Sequence, residues 1–349
     1  MTRKSTSTTI HDVARYAGVS AATVSRYMNH RDLVSQDVSD RISQVMLEMN
    51  YVPRVAARQL ATSETRAAGL IISDMMNDFF APLINGVSSV FSRNNYNLLV
   101  AVSRLGMRDK KGPSPIGPHN TDGTLVFANS LSEEQLIDLC KIRFPVVLLY
   151  HTSPLGLKIP HVIVENKNSS QKMIDHLIEV HGRKQIMYFQ GPRDQEDSYW
   201  REAGYRASLA AHGLAIDSNL ILCGEFTHTV AYQAMRDHLS RGRLDFDAIF
   251  AGNDDSAVGI MTALGEANIR VPEDVSVVGF DDFRLASFLQ PPLTTVRAPT
   301  EKAGRAAAEQ LSKLFKKESV DQRILLPTEI VLRRSCGCNY QSSDLLNIQ

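Results

Sequence analysis

The sequence predicts an α/β protein in which a small all-helical unit precedes a large core of parallel β-sheets. Two patterns predict this arrangement. Apolar residues recur at helical spacing before residue 50, and from Ala67 onward continuous apolar runs alternate with amphipathic ones. At 349 residues and 43% hydrophobic content, the chain is long enough for two or three domains.

The helical unit comes first, in the segment "TIHDVARYAGVSAATVSRYMN" (residues 9–29). Thr9 and Asp12 have the spacing of a capping box for a helix that ends near Ala17, and Gly18 permits the chain to reverse. Ser20 is expected to cap a second helix, and Ser35 a third. Three short helices with a glycine-containing turn predict a helix-turn-helix unit.

The second helix has the composition of a helix that enters a DNA groove. Small side chains permit close approach, hydroxyls bind phosphate, and an arginine recognises a guanine edge through two hydrogen bonds. The residues expected to face outward are Ala21, Ala22, Thr23, Ser25 and Arg26. The alternative is an ordinary three-helix cap on a larger domain.

The core segment follows. Strand-like runs such as "AAGLIIS", "QIMYFQG", "DAIFAG" and "DVSVVGF" alternate with amphipathic segments, which predicts parallel sheets covered on both faces. Ligands of such sheets bind beyond the carboxyl ends of the strands. Aromatic, Arg, Asn and Asp side chains follow these runs and suit a polyhydroxy or heteroaromatic small molecule. The alternative is that the Asn and Asp residues cap helices and the Phe residues fill the core.

Charge and cysteine content limit the remaining possibilities. The formal net charge is zero, but the segment 1–66 holds nine Lys and Arg against six Asp and Glu, so it is the candidate binder of a polyanion. Four cysteines without paired spacing favour a reducing cytoplasm. No metal is expected at Cys336 and Cys338, because no other Cys or His is close to them in sequence. No cofactor, secretory signal or membrane span is expected.

Several motifs together resemble the lactose-repressor/galactose-repressor family of bacterial transcription regulators. Besides residues 9–29, they are "NYVPRVAARQLATSETRAAGLIISDMMNDFF", "FAGNDDSAVG", "VPEDVSVVGFDD", "PPLTTVRAP" and "LPTEIVLRRSC", in the same order as in the family. The resemblance extends from about Thr9 to Cys338. It implies a sequence-specific DNA-binding regulator, expected to be a repressor, that acts as a homodimer on a pseudo-palindromic operator of double-stranded DNA.

The resemblance also implies the domain organisation. A headpiece (1–50) and a hinge helix with linker (51–66) would precede a core of periplasmic-binding-protein type (67–340) and a tail (341–349). Subdomain one would comprise about 67–165 and 292–325, and subdomain two about 166–290 and 326–340. The chain would therefore cross between subdomains near Glu165, Pro291 and Leu326. The effector, expected to be a carbohydrate, would bind in the cleft.

Residue roles follow from the same resemblance. The implied DNA contacts, which include the outward residues of the second helix, are Thr9, Ser20, Ala21, Ala22, Thr23, Ser25, Arg26, Asn29, Tyr51, Arg54, Ala57 and Leu60, with Leu60 wedged into the minor groove. The implied effector contacts are Ser73, Phe79, Phe80, Tyr150, Arg201, Phe226, Asn253 and Asp281.

The chain departs from the family pattern in several places. Arg54 replaces a usual Asn, Tyr150-His151 replaces a usual Asp-Arg, and "VHGRKQI" puts His181 before Gly182. The Pro/Gly-rich segment 104–123 is not expected to hold a helix.

Three other functions remain open from the sequence. An enzyme is one, although no phosphate loop, nucleophile elbow or His-Glu-x-x-His motif occurs. A transport sugar-binding protein and an architectural DNA protein are the others.

Overall fold

The computed structural model describes residues 8–29, 31–51, 64–75, 78–103, 114–242 and 244–339. The chain divides into two compact units, Met1–Thr65 and Arg66–Gln349. The predicted hinge contacts Arg54, Ala57 and Leu60 lie outside the described residues, as does the side chain of Asn29.

The first unit contains the three predicted helices: α1 (Ile10–Ala17), α2 (Ala21–Asn29) and α3 (Gln36–Glu48). Thr9 and Asp12 form the expected capping box, and Gly18 ends α1 in the left-handed conformation at φ 66°. The Ser20 hydroxyl accepts a hydrogen bond from the backbone N–H of Thr23 at 3.1 Å, so Ser20 caps α2 as predicted.

Two details of this unit differ from the sequence-based expectation. Ser35 stands at the N-cap position of α3 but makes no side-chain capping bond. Ala21 is half buried and packs against the core formed by Val13, Val24 and Ile42 with their neighbours, so it does not face outward. Ala21 stands in the first turn of α2, and this turn carries the side chain onto the apolar core of the unit.

The second unit contains two six-stranded sheets. In chain order, the described strands are β1 (Ala67–Ile72), β2 (Asn97–Val102), β3 (Gly123–Phe127), β4 (Val146–Leu149), β5 (His161–Val164), β6 (Ile186–Gln190), β7 (Ile221–Cys223), β8 (Ala248–Ala251), β9 (Ser276–Asp281), β10 (Thr294–Arg297), β11 (Arg323–Leu326) and β12 (Glu329–Val331). The first sheet has the order β11-β5-β4-β3-β1-β2 and the second β12-β10-β9-β8-β6-β7. All pairings are parallel except that of β10 with β12.

Helices connect the strands, as the alternating pattern predicts. They are α4 (Phe80–Arg93), α5 (Glu133–Lys141), α6 (Lys167–Glu179), α7 (Glu196–Ala211), α8 (His228–Leu239), α9 (Asp254–Glu266) and α10 (Thr300–Phe315). Central strands such as β1, β3 and β9 are buried along their whole length. Of the described helices, none has the length and apolar character needed to cross a membrane.

The chain crosses between the two sheets three times. It leaves the first sheet after Val164 and crosses for the last time between Leu326 and Glu329. The prediction that the second crossing lies near Pro291 is wrong. Strand β10 follows that proline and still pairs with β9, so the crossing comes between Arg297 and Thr300.

Packing explains why α10 belongs with the first sheet. A Cβ atom on Gly86 of α4 would overlap the backbone of Glu301, and one on Gly304 of α10 would overlap the backbone of Leu83. The absence of side chains at these two glycines lets the helix backbones touch. The Pro-Pro break at 291–292 only marks a turn, and this helix pair holds the chain on the first subdomain after β10.

The described part of the Pro/Gly-rich segment, Ser114–Asp122, forms turns and contains no helix. Ile116 is buried in it and packs in the first subdomain. A Cβ on Gly69 of β1 would overlap the Ile116 side chain. As expected, this stretch holds no helix, and it covers part of the first sheet at β1 through Ile116.

Candidate effector cavity and DNA-reading surface

A cavity of about 410 Å³ lies at the carboxyl ends of the strands of both sheets. This is the place where open parallel sheets bind ligands. Its lining contains seven of the eight predicted effector contacts: Ser73, Phe79, Phe80, Arg201, Phe226, Asn253 and Asp281. The eighth, Tyr150, is 1% exposed and stands behind the wall, where its ring contacts that of Phe79 at 5.1 Å.

Arg201 is the polar centre of the cavity. Its side chain extends from α7 and is buried, with 2% of its surface exposed. Its guanidinium donates to Asn166 Oδ1 at 2.8 Å, to the Gly252 carbonyl at 2.6 Å and to Asp281 Oδ1 at 3.1 Å. It also lies 3.7 Å from the ring centre of Phe280. These contacts hold the guanidinium in one orientation.

Two buried carboxylates share this guanidinium. Asp197 stands one turn before Arg201 on α7, with its Oδ2 4.0 Å from Nη2 of the arginine, and accepts a 2.8 Å hydrogen bond from Asn166. Burial raises the pKa of Asp197 to about 7 and that of Asp281 to about 6, although Arg201 lowers both. A single cation thus compensates two carboxylates, and the pair retains a proton more readily than free aspartates.

Asp254 adds a third buried carboxylate beside the pair. It accepts hydrogen bonds from Thr295 at 2.6 Å and from the backbone of Phe283 at 2.8 Å. Burial raises its pKa well above the ordinary value, and the nearby Asp281 raises it further. Asp254 does not line the cavity itself and instead holds the chain after β9 in position.

Aromatic rings form the other surfaces of the cavity. On the first subdomain, the rings of Phe79, Phe80 and Phe127 meet edge to face at centroid distances between 5.0 and 5.6 Å. On the second, the Phe226 ring lies against Gly191 and Gly252, where added Cβ atoms would overlap or crowd it. Apolar faces on two sides suit the nonpolar faces of a sugar ring.

Several of these residues adopt a left-handed backbone that side chains seldom tolerate. Positive φ angles occur at Asn129 (58°), Tyr150 (63°), Glu225 (51°), Phe226 (55°) and Asp281 (106°). Asp281 is the last residue of β9, and the other four follow the ends of β3, β4 and β7, near or at the cavity. Such conformations cost about 1–3 kcal/mol each and persist only where the surrounding structure enforces them, which occurs most often at binding sites.

Asn253 partly fits the alternative of a structural cap. Its Oδ1 accepts from the backbone N–H of Ser256 and caps α9, while its Nδ2 donates to the Phe226 carbonyl at 3.0 Å. One amide hydrogen is left for a ligand. Asp281 has more capacity, because among the described residues Arg201 is the partner of Oδ1 alone and Oδ2 has no hydrogen bond.

Sequence reasoning missed ten lining residues: Asp74, Phe127, Asn129, Pro192, Asp194, Gln195, Asp197, Glu225, Thr227 and Phe283. Most of them follow a strand end, where the strand-end rule could have found them, but Phe127 is the last residue of β3 and Asp197 lies in the first turn of α7. Together with Asp281, the lining contains five carboxylates, and Arg201 is the one basic side chain among the described residues that line it. The cavity is therefore acidic.

The helical unit presents a second candidate surface along α2. Ser20, Ala22 and Arg26 are exposed, and Thr23 and Ser25 are partly exposed. The hydroxyls of Ser20 and Thr23 lie 2.8 Å apart. The Thr9 hydroxyl donates to Asp12 at 2.7 Å, and Tyr51 packs against the helical core. The outward face of α2 thus carries small side chains, hydroxyls and one arginine.

One argument from the sequence does not survive folding. The case against a metal at Cys336 and Cys338 assumed that no His lies nearby, but the fold brings His176 and His181 next to both sulfurs. The two histidines are more than 150 residues from the cysteines in sequence, and the packing of α6 on the second sheet makes them neighbours.

Comparison with known proteins finds relatives for both units of the chain. The sequence profile of the family described as "Bacterial regulatory proteins, lacI family" matches residues 9–54, and that of a "Periplasmic binding protein-like domain" matches residues 174–336. HTH-type transcriptional regulator CelR of Thermobifida fusca is 32% identical over 94% of this chain and 98% of its own length. The ribose operon repressor of Escherichia coli (strain K12) is 31% identical over 93% and 98%.

Solved structures show the same architecture. A transcriptional regulator CelR–cellobiose complex matches with a TM-score of 0.68 at 30% identity, over 94% of this chain and 99% of the other. The lac repressor dimer bound to operator and the anti-inducer ONPF matches with a TM-score of 0.79 at 25% identity, over 95% and 99%.

Proposed function

The chain belongs to the lacI family of bacterial regulatory proteins, and from that premise we propose that it is a cytoplasmic transcriptional repressor whose affinity for DNA is set by a carbohydrate effector. The protein binds a pseudo-palindromic operator as a homodimer, because one short helix contacts too few base pairs for useful specificity. The observation that carries the proposal is the presence in one chain of a helix-turn-helix unit and of an acidic, aromatic cavity between two sheets.

Recognition of DNA is assigned to α2. Arg26 is the exposed arginine on its outward face and would donate two hydrogen bonds to a guanine. Ala22 lets the helix approach the base edges, and the hydroxyls of Ser20 and Thr23 bind phosphates. Asn29, Tyr51 and the hinge residues remain proposed contacts on the strength of the family resemblance.

The lining favours a neutral or cationic carbohydrate as effector. The five carboxylates of the lining outnumber its one guanidinium, so the cavity repels anionic ligands, and sugar phosphates and sugar acids bind poorly. Hydroxyl groups of a neutral sugar donate to the free Oδ2 of Asp281, while its apolar face rests on Phe226 or Phe79. Among similar structures, a CelR complex contains cellobiose, which is a neutral sugar.

Control of DNA binding follows from the position of the cavity. Phe79 belongs to one subdomain and Asp281 to the other, so a bound sugar contacts both and favours one arrangement of the pair. A ligand can change operator affinity only if its own affinity differs between arrangements. Because the sugar bridges two subdomains joined by three crossings, we assign the switch to their relative movement.

The test uses the full chain and genomic DNA of its host. DNA fragments captured by the protein are sequenced, and the motif that they share is synthesised. Binding of the protein to this DNA is measured by fluorescence anisotropy, with and without each neutral sugar that raises the melting temperature of the protein. The proposal requires a palindromic motif and at least one sugar that changes its affinity. Binding without sequence preference would instead indicate an architectural DNA protein, and sugar turnover without operator binding an enzyme.

A further inference from the structure

Two histidines and two cysteines form a cluster on the second sheet, remote from the cavity. His176 lies in the last turn of α6 and His181 just beyond it, whereas Cys336 and Cys338 lie in the turn that follows β12. Their ligand-type atoms all lie within 4.8 Å of one another. The cluster plays no part in the proposed function.

The cluster lies at the amino ends of β9 and β10, and the cavity lies at the carboxyl ends of the strands. Ser276, the first residue of β9, donates its hydroxyl to the Cys336 carbonyl at 2.8 Å. Thr294, the first residue of β10, donates to Cys336 Sγ at 3.1 Å. The cavity is at the carboxyl ends of these strands, where Asp281 lies.

We propose that His176, His181, Cys336 and Cys338 bind one zinc ion, which fastens the C-terminal segment to α6. The proposal rests on the distances among Cys338 and the two histidines, with Cys336 Sγ within 4.8 Å of all three ligand atoms. Cys338 Sγ lies 3.5 Å from Nε2 of His176 and 3.4 Å from Nε2 of His181, and the two Nε2 atoms are 3.2 Å apart. In a tetrahedral zinc site, bond lengths of about 2.3 Å to sulfur and 2.0–2.1 Å to nitrogen separate sulfur from nitrogen by about 3.5 Å and nitrogen from nitrogen by about 3.3 Å.

The donor set selects the metal and the role. Two thiolates and two imidazoles form the Cys₂His₂ combination typical of zinc, and soft thiolates exclude magnesium and calcium. Two thiolates neutralise the charge of a divalent cation, which suits a place where Cys336 is fully buried. Four protein ligands leave no open coordination position, so the site is structural.

The surrounding chain is shaped to present these ligands. Gly337 has a φ of 108°, and a Cβ atom there would stand 3.1 Å from the His181 ring. Glycine therefore lets the turn pass close to the imidazole in a backbone conformation that other residues seldom adopt. The Thr294 hydroxyl donates a hydrogen bond to Cys336 Sγ, and such hydrogen bonds commonly support metal-bound thiolates. The order His181-Gly182, which departs from the family pattern, puts the second imidazole next to Cys338.

Metal content of the untagged full chain is the first measurement. The protein is purified without chelators, and zinc is measured by inductively coupled plasma mass spectrometry. Wild-type protein is expected to hold close to one equivalent per chain, and Cys338→Ser and His181→Asn to lose most of it. The matched controls, Cys223→Ser and His228→Asn, alter exposed residues outside the cluster and are expected to keep it.

A cobalt titration tests the geometry in wild-type protein, independently of whether the variants fold. Protein stripped with chelator is titrated with Co²⁺, and we expect intense visible bands of tetrahedral coordination and a thiolate charge-transfer band. Both should saturate at one equivalent and disappear on addition of Zn²⁺. Zinc should also raise the melting temperature of the stripped protein.

Three results would overturn the proposal. The first is the purification of wild-type protein that contains no zinc and that, when titrated with Co²⁺, shows only the weak bands of octahedral cobalt. The second is zinc content that is the same in the cluster variants and in the controls. The third is a Cys336–Cys338 disulfide in protein isolated without reductant, detected as two missing thiols in the denatured chain.

Discussion

Replacing Asp281 with asparagine should separate effector binding from DNA binding. The substitution keeps the shape of the side chain, and an amide oxygen can still accept from Arg201, whose Nη2 lies 3.1 Å from Asp281 Oδ1. What is lost is the negative charge on Oδ2, the atom that we propose accepts a hydrogen bond from a sugar hydroxyl. A hydrogen bond to a charged group contributes about 1.5–3 kcal/mol, so effector affinity should fall about 10- to 150-fold at pH 8.

The pH dependence gives this prediction a distinctive signature. The pKa of Asp281 is raised to about 6 by burial, so the wild-type carboxylate is charged at pH 8 and largely protonated at pH 5. The difference in affinity between wild-type and Asp281→Asn should therefore shrink as the pH falls through 6. Isothermal titration calorimetry at both pH values, with the neutral sugar that most raises the melting temperature, measures the difference.

The control is Asp138→Asn, which removes a carboxylate from an exposed ion pair with Lys141 on α5. It should leave both affinities unchanged, because exposed ion pairs contribute little. Operator affinity without sugar should match wild-type in both variants. An Asp281→Asn protein that binds the sugar normally at pH 8, or that loses operator binding to the same extent, would refute the assignment.

Further predictions concern other parts of the chain. Arg26→Ala should lower the preference for operator over random DNA by about 1–3 kcal/mol in anisotropy titrations, because a guanine contact is lost. The control Arg41→Ala removes an exposed charge from α3 and should change the affinities for operator and for random DNA equally. Gly191→Ala should displace the phenylalanine ring above it and weaken sugar binding measured by calorimetry, whereas Gly265→Ala, where a Cβ atom meets nothing within 4 Å, should stabilise the fold. For Asp197, the folded pKa of about 7 exceeds the ordinary value of 3.8, so the folded protein holds a proton that the unfolded chain releases. Its contribution to stability should fall from about pH 4 to about pH 7 by at most about 1.4 kcal/mol per pH unit, and Asp197→Asn should flatten that slope in urea unfolding.

Much of the candidate site could be anticipated because the strand-end rule is local. Apolar runs mark buried strands, and the polar or aromatic residues that follow them fall at one edge of a parallel sheet. Arg201 was found in this way, whereas its partner Asp197 was not, although the two are one turn apart on α7. Nothing in the sequence shows which face of α7 is turned toward the second sheet, and that orientation makes the pair a buried one.

The N-terminal unit was determined by the sequence itself. The caps at Thr9 and Ser20 depend on contacts with residues three positions away, Asp12 and Thr23, and these form wherever the chain is placed. Only the tertiary structure decided the rest. The crossing after Arg297, the shared guanidinium of Arg201 and the meeting of His181 with Cys338 each join segments far apart in the chain. Such contacts are selected by the packing of whole helices and sheets, which no short stretch of sequence encodes.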